Sequence, residues 1–240
     1  MADSLAIDLF CGLGGWAEGL LAEGFRVIGF DVERHDYGSG GYPGQLVLQD
    51  VTTLYGSQFR NAAVIVASPP CQAYSYRAMP WARAKALPPP DNTLFEACFR
   101  IQREASEAAG RYIPLIVENV RGAQKWVGRA KWHFGSYYLW GDVPALMPIT
   151  FGRPVMKAGV IHRADGTRNF HGHAKSVAVM EGVKQRGSGR EWFAGEGKIS
   201  RVTSSGTPAR KAASAMIAKI PFTLASHIAR TYKLPEVAHA

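Results

Sequence analysis

The chain has 240 residues, of which 47% are hydrophobic and 20% charged, with a formal net charge of +9; this is enough for one large α/β domain plus a small second lobe, with the composition of an ordinary soluble globular protein. No apolar run approaches the ~20 residues of a membrane span, Met1-Ala2-Asp3-Ser4 lacks the basic and apolar parts of a secretory signal, and three cysteines without zinc-like spacing argue against a disulfide frame or a structural metal. The expected compartment is therefore reducing. The charge is uneven: residues 1–149 hold 13 basic and 14 acidic side chains, and residues 150–240 hold 15 basic and 5 acidic. A near-neutral part joined to a strongly basic one is the distribution expected where a polyanion lies across the molecule.

Leu5-Ala6-Ile7-Asp8-Leu9-Phe10 predicts a short buried strand, Cys11-Gly12-Leu13-Gly14-Gly15 a glycine turn, and residues 16–23 a helix. Strand, glycine turn and helix together form the layout of a nucleotide-type cofactor site. The glycines let the backbone approach the ligand, and the helix N-terminus offers unpaired N–H groups. The spacing departs from the full dinucleotide fingerprint, which weakens the case for NAD. A second strand over 25–30 ends at Asp31. An acid about 20 positions past the turn suits two ribose hydroxyls, or simply a solvated strand end. Residues 38–44 are rich in glycine and include Pro43, so they read as a loop. Leu46-Val47-Leu48 is a third strand; Asp50 behind it either accepts from an adenine amino group or caps the next turn.

Val64-Ile65-Val66-Ala67 reads as a buried parallel strand running into Ser68-Pro69-Pro70-Cys71-Gln72. The two prolines fix φ, remove two backbone donors and stop the strand. The Cys71 thiol is thereby held at a strand's carboxyl end, where open α/β sheets keep their chemistry, as a nucleophile or as a buried thiol. Residues 73–92 predict a long loop with Tyr74, Tyr76, Arg77, Trp81, Arg83 and Lys85, closing on Pro88-Pro89-Pro90. Aromatic and basic residues interleaved in this way suit a lid over a nucleic acid. Residues 93–110 read as a helix capped at Asp91 or Asn92, with Cys98 in its core face.

Ile113-Pro114-Leu115-Ile116-Val117 is a further buried strand, with Glu118-Asn119-Val120 at its carboxyl end on the same rim as Cys71. A carboxyl between apolar strands has a raised pKa and stays protonated; pairing with Arg121 is the alternative. Residues 126–133 predict a short helix, and Tyr137-Tyr138-Leu139-Trp140 a strand. Residues 150–207 are rich in Gly, Arg, Lys, Ser and His without a sustained period, which suits short β segments and turns. His171-Gly172-His173 lacks a third ligand, so no metal site is expected. From Pro208 to Arg230, Ala and Ile recur at helical spacing, as in a helix repacking on the first domain.

Five pieces now stand in a fixed order: Asp8-Leu9-Phe10-Cys11-Gly12-Leu13-Gly14-Gly15, Asp31, Asp50, Ser68-Pro69-Pro70-Cys71-Gln72 and Glu118-Asn119-Val120. In this combination the chain resembles the DNA (cytosine-5) methyltransferase family over roughly residues 5–145. The resemblance implies a Rossmann-like α/β domain that uses S-adenosylmethionine and carries a small, basic, mostly β or irregular target-recognition lobe. The catalytic domain is expected over 1–148 plus 208–240 and the lobe over 149–207. The resemblance further implies Cys71 as nucleophile at carbon 6 of a flipped cytosine and Glu118 as the acid at ring nitrogen 3. It places Phe10, Gly12, Gly14, Asp31, Asp50 and Pro70 around the cofactor, and Gln72, Asn119, Arg77 and Arg121 around the substrate. The partner expected is DNA, not a membrane, bound by a monomer in the cytoplasm of a bacterium or phage host, near the nucleoid, as in restriction–modification. An RNA (tRNA) cytosine-5 methyltransferase and a catalytically weak DNA-binding protein on the same scaffold are the alternatives.

Two departures stand beside the likeness. The family's Gln-x-Arg-x-Arg strand corresponds here to residues 133–142, whose end, Tyr138-Leu139-Trp140-Gly141-Asp142, is similar to that strand in the animal de novo methyltransferases but has no arginine. Arg121, Arg129 and Lys131 are the candidates to replace it. The family's Gly-Asn-x-Val-Pro segment is matched only by Ala218-Lys219-Ile220-Pro221.

Overall fold

The computed structural model describes residues 4–37, 40–75, 86, 88–134, 137–147, 161–162, 168–169, 215 and 218–233. By internal contacts the chain divides into two compact units, residues 1–148 with 218–240, and residues 149–217.

The first unit is built on a seven-stranded sheet of order β3-β2-β1-β4-β5-β7-β6. Its strands are β1 (Leu5–Leu9), β2 (Arg26–Asp31), β3 (Gln45–Leu48), β4 (Ala62–Ala67), β5 (Leu115–Asn119), β6 (Trp132–Phe134) and β7 (Tyr137–Gly141). Strand β1 lies parallel to β2 and β4, as do β3 to β2 and β5 to β4, whereas β7 runs antiparallel to both β5 and β6. This is a Rossmann-like doubly wound sheet with one reversed strand. The strand order turns back between β1 and β4, and ligands bind such sheets in the crevice at that switch point.

Alternation along the strands divides the core into two layers. Ile7, Leu9, Ile65, Ala67, Leu115 and Val117 face the layer that includes Phe59, Phe95, Cys98, Ile101 and Trp140. Ala6, Val64, Val66 and Ile116 face the opposite layer, with Trp16, Leu20, Leu139, Leu224 and Ile228. Helix α1 (Gly15–Ala22) and a C-terminal helix cover that second face, and α2 (Thr93–Ala109) covers the first. Helix α2 buries Phe95, Cys98, Ile101 and Ala105, one stripe of a 3.6-residue repeat. The Asp91 carboxylate accepts from the Thr93 amide and hydroxyl and so does the capping, while Gly110 at φ 62° ends the helix in the left-handed conformation.

Several expected bounds move. Strand β5 begins at Leu115 and runs through Asn119, because β7 pairs with Glu118 and Asn119 and prolongs it. Instead of a helix over 126–133 there is a single turn, α3 (Gln124–Val127), which stops where Gly128 takes φ 87°, and Trp132–Phe134 is a strand. The described residues of the single strand expected over 133–142 thus fall in two antiparallel strands, β6 and β7. The helix expected from Pro208 to Arg230 is described as α4 (Phe222–Tyr232), with Pro221 extended ahead of it. In the second unit the described residues include the antiparallel pair β8 (Ile161–His162) and β9 (Arg168–Asn169). His171, His173 and the other residues of the 149–207 lobe lie outside the described residues, as do Tyr76, Arg77, Trp81, Arg83 and Lys85 of the loop.

Candidate functional site

Strands β4 and β5 are neighbours in register, with Ala67 opposite Val117. The next residues, Ser68 and Glu118, therefore stand side by side at the carboxyl ends, and alternation turns both toward the face covered by α1. Asn119, buried, donates from Nδ2 to the Pro69 carbonyl at 2.9 Å and ties the end of β5 to the turn that carries Cys71. The turn closes through the Cys71 carbonyl, which accepts from the Tyr74 amide at 3.0 Å and from the Ser75 hydroxyl at 2.9 Å. Cys71 has φ −92° and ψ 0° at the head of a short 3₁₀ turn, Gln72–Tyr74; this is the sparsely populated bridge region that active-site residues often occupy. Its side chain is half-buried and not in a disulfide. The following turn, Arg121–Ala123, packs so closely that a Cβ on Gly122 would lie 2.2 Å from the Tyr74 carbonyl oxygen. Cys71 and Glu118 thus share one rim, clamped backbone to backbone.

Glu118 is half-buried, so a ligand can still reach it. Burial pushes its carboxyl from an ordinary 4.5 up to about 8, against the opposing pull of a hydrogen bond with Ser68. The Ser68 hydroxyl in turn accepts from the buried Trp16 indole N–H at 3.0 Å. Among the described residues, Arg121, Arg129 and Lys131 are all exposed, and it is Ser68, not Arg121, that works against the burial shift of Glu118. Gln72 and Pro70 are exposed beside Cys71, while Pro69 is buried. Sequence reading gave Ser68 no role beyond its place before the prolines. Its parity with Val64 and Val66 is the signal that could have put it on the Glu118 face, once β5 is set beside β4.

Across the crevice, the glycine turn after β1 holds Phe10, Gly12 and Gly14 at φ 58°, 50° and 75°. A left-handed phenylalanine is strained, and strain of this kind clusters where ligands are clamped. The Gly12 amide donates to Asp31 Oδ2 at 2.9 Å, and the Val32 amide to Oδ1 at 2.8 Å. Burial raises the Asp31 pKa, but His35 and the Gly12 and Glu33 amides outweigh it and hold the carboxyl below its ordinary value. Asp31 is thus an ionised acceptor at the end of β2. Asp50 is exposed at the end of β3 and caps the turn Val51–Thr53 through the Thr52 amide and hydroxyl, which hold its pKa low. A Cβ on Gly12 would meet nothing within 4 Å, so the turn opens onto free space. A strained aromatic, an open glycine turn and ionised acceptors past β2 and β3 line a crevice suited to a nucleoside-type ligand. A separate cavity of about 680 Å³ opens on the flank of α2, lined by Thr52, Phe95, Phe99, Arg103 and Trp126; it includes neither Cys71 nor Glu118.

The family model described as C-5 cytosine-specific DNA methylase matches residues 5–128. No curated protein matches the chain. Among solved structures, the chain is similar to a DNA modification methyltransferase encoded within a prophage (E. coli), with 24% identity and TM-score 0.36, covering 52% of this chain and 34% of that one. It is also similar to the S. pombe Dnmt2 methyltransferase, with 16% identity, TM-score 0.35, and 51% and 36% covered. A third is the Entamoeba histolytica methyltransferase EhMeth, with 16% identity, TM-score 0.35, and 52% and 40% covered. The chain therefore spans between a third and two fifths of the length of these proteins.

Proposed function

Since this chain belongs to the C-5 cytosine-specific DNA methylase family, we propose that it methylates carbon 5 of cytosine in DNA, with Cys71 as nucleophile and Glu118 as acid. The observation that carries this reading is the pairing of β4 with β5, which sets the Cys71 turn and Glu118 on one rim beside the glycine turn. S-adenosylmethionine, when bound, supplies an electrophilic methyl group. Phe10, Gly12, Gly14, Asp31, Asp50 and Pro70 would hold it.

Carbon 5 of cytosine is a poor nucleophile. Addition of the Cys71 thiolate to carbon 6 makes carbon 5 part of an enamine. Charge accumulates on the ring as this bond forms, and Glu118, holding a proton at ring nitrogen 3, stabilises it. A carboxyl with pKa about 8 is mostly protonated at neutral pH and has that proton to give. After methyl transfer a base removes the carbon-5 proton, the carbon–sulfur bond breaks, and Cys71 leaves with its electron pair. Neither ring carbon is reachable inside a duplex, so the base must be flipped out at a cost of a few kcal/mol. Asn119, Gln72, Arg77 and Arg121 are the proposed substrate contacts. The basic residues 149–207 are the proposed recognition lobe on a catalytic domain of 1–148 and 208–240. The chain would act as a monomer in a bacterial or phage-infected cytoplasm.

The test is transfer from labelled S-adenosylmethionine to cytosine-rich DNA. The wild type labels carbon 5, Cys71→Ala does not, and DNA containing 5-fluorocytosine traps an adduct on Cys71. Equal transfer by wild type and Cys71→Ala overturns the mechanism. Duplex DNA and transfer RNA offered in competition decide the polymer, and salt-sensitive DNA binding without turnover on either favours a binding protein.

A further inference from the structure

The step between two parallel strands is commonly covered by a crossover helix, yet between β2 and β3 the described residues of 32–44 form none. Tyr42 packs on that face instead, against the core layer that holds Trp16 and Leu20. Gly29 of β2 lies directly under its ring: a Cβ there would stand 2.4 Å from Tyr42 Cζ and 2.5 Å from the hydroxyl oxygen. A Cβ on Gly44 would lie 3.1 Å from Tyr42 Cε1, and one on Gly14 3.0 Å from Cδ2. Glycines from a strand, a loop and the glycine turn thus make the slot that one ring fills. Asp8 of β1 is the partner of Gly29 in the strand register. The Tyr42 hydroxyl crosses that step and donates to Asp8 Oδ2 at 3.1 Å.

The two glycines of the turn have different surroundings. A Cβ on Gly12 would meet nothing within 4 Å, whereas one on Gly14 would stand 2.4 Å from Pro43 Cδ. The turn is therefore open on one side and backed by Tyr42 and Pro43 on the other. Gly14 is also the N-cap of α1, and its amide donates to the Cys11 carbonyl at 2.8 Å. We propose that Tyr42, tied to Asp8, is a positioning residue that holds the glycine turn from behind and so sets the affinity for the methyl donor. The inference rests on the reading of that turn as part of the donor site. Asp8 is fully buried and its Oδ1 has no partner among the described residues. Loss of the Tyr42 hydroxyl would leave the whole carboxyl buried without a hydrogen bond, a costly state, and would cut the polar tie between the loop and β1. Burial raises the pKa of the carboxyl and of the phenol alike. The pair is thus uncharged at neutral pH, and a neutral acceptor can stand in for the acid.

The test combines amide hydrogen exchange of the full chain without donor, read residue by residue, with calorimetric titration of S-adenosylmethionine. Tyr42→Phe keeps the ring and removes the hydroxyl. The Gly12 and Gly14 amides, which donate to Asp31 and to the Cys11 carbonyl, should then exchange about fivefold faster, the equivalent of one hydrogen bond. Amides of β5 should keep their rates. Affinity for S-adenosylmethionine should fall by about the same factor. Tyr42→Ala, which empties the slot, should lose more in both measurements. Asp8→Asn, which keeps an oxygen to accept from the hydroxyl, should stay close to the wild type in both. Unmoved exchange at Gly12 and Gly14 in Tyr42→Phe overturns the proposal. So does an equal acceleration in β5, which would make the bond a general support of the fold, or a loss in Asp8→Asn as large as that in Tyr42→Phe. Unchanged donor affinity in Tyr42→Phe, where the wild type binds, overturns it as well. If the exchange moves as expected but the wild type binds no S-adenosylmethionine, Tyr42 still holds the turn and it is the proposed function that falls.

Discussion

Two carboxyls sit on the crevice face of the sheet, and their surroundings separate them. Asp8 is fully buried, and burial raises its pKa; a hydrogen bond from Tyr42 at 3.1 Å works against this, while its Oδ1 has no partner among the described residues. Glu118 is raised to about 8 yet remains reachable. The linkage to stability follows from the sign. The folded chain holds the Glu118 proton more tightly than the unfolded chain, so between an ordinary 4.5 and about 8 the folded state carries more protons and loses stability as pH rises. Glu118→Gln removes the ionisation and keeps the shape. The variant should match the wild type in urea denaturation at pH 4 and exceed it at pH 9, by an amount on the order of a few kcal/mol, reduced because the group is partly accessible. A difference that does not change with pH would mean that the Glu118 pKa is the same folded as unfolded; the carboxyl would then be ionised at neutral pH and could not serve as the acid.

At the scale of elements, the site depends on two turns pressed together. Asn119 reaches back to Pro69, and the backbone at Gly122 meets the Tyr74 carbonyl where a Cβ would lie 2.2 Å away. Gly122→Ala must therefore displace the backbone of the Cys71 turn. We expect a loss of about 1–3 kcal/mol in thermal unfolding, as overpacking costs, and a larger proportional drop in the rate of 5-fluorocytosine trapping than in affinity for S-adenosylmethionine. Equal losses in both would place the damage in the fold as a whole. Such contacts explain what was legible beforehand. Runs such as Val64-Ile65-Val66-Ala67 and the glycine turn signal their own structure, and the rim of Cys71 and Glu118 followed from strand ends alone. The extent of β5 was not legible, because pairing with β7 sets it. Nor was the end of α3, because Gly128, directly after Val127, takes φ 87° and pairing with β7 makes Trp132–Phe134 a strand. The placing of Ser68 beside Glu118 requires the register between β4 and β5, strands far apart in the chain, which no local pattern records.

At the scale of the whole molecule, the sheet is completed by residues that arrive last. Helix α4 buries Leu224, Ala225, Ile228 and Ala229 in the same layer as Trp16, Ala17 and Leu20 of α1. Ion pairs of Glu18 with Lys219 and Glu23 with Arg230 lie at the edge of the contact; exposed or half-exposed pairs of this kind are worth little, so apolar packing dominates. The helices approach until backbones touch. A Cβ on Gly19 would stand 2.4 Å from the Ser226 amide nitrogen, and one on Gly15 2.4 Å from the Ile220 nitrogen. The two cases differ from an ordinary core truncation. Ile228→Ala leaves a cavity and should cost about 2–5 kcal/mol, with the helices still in place. Gly19→Ala gains helix propensity worth about 1 kcal/mol but must drive α4 away from α1, and α1 carries both the glycine turn and Trp16. Gly19→Ala should therefore lower affinity for S-adenosylmethionine at a stability loss no greater than that of Ile228→Ala. Calorimetric titration with S-adenosylmethionine and urea denaturation on the two variants would check this. If donor affinity instead tracks stability alone across both, α4 acts only as mass in the core and does not set the position of α1.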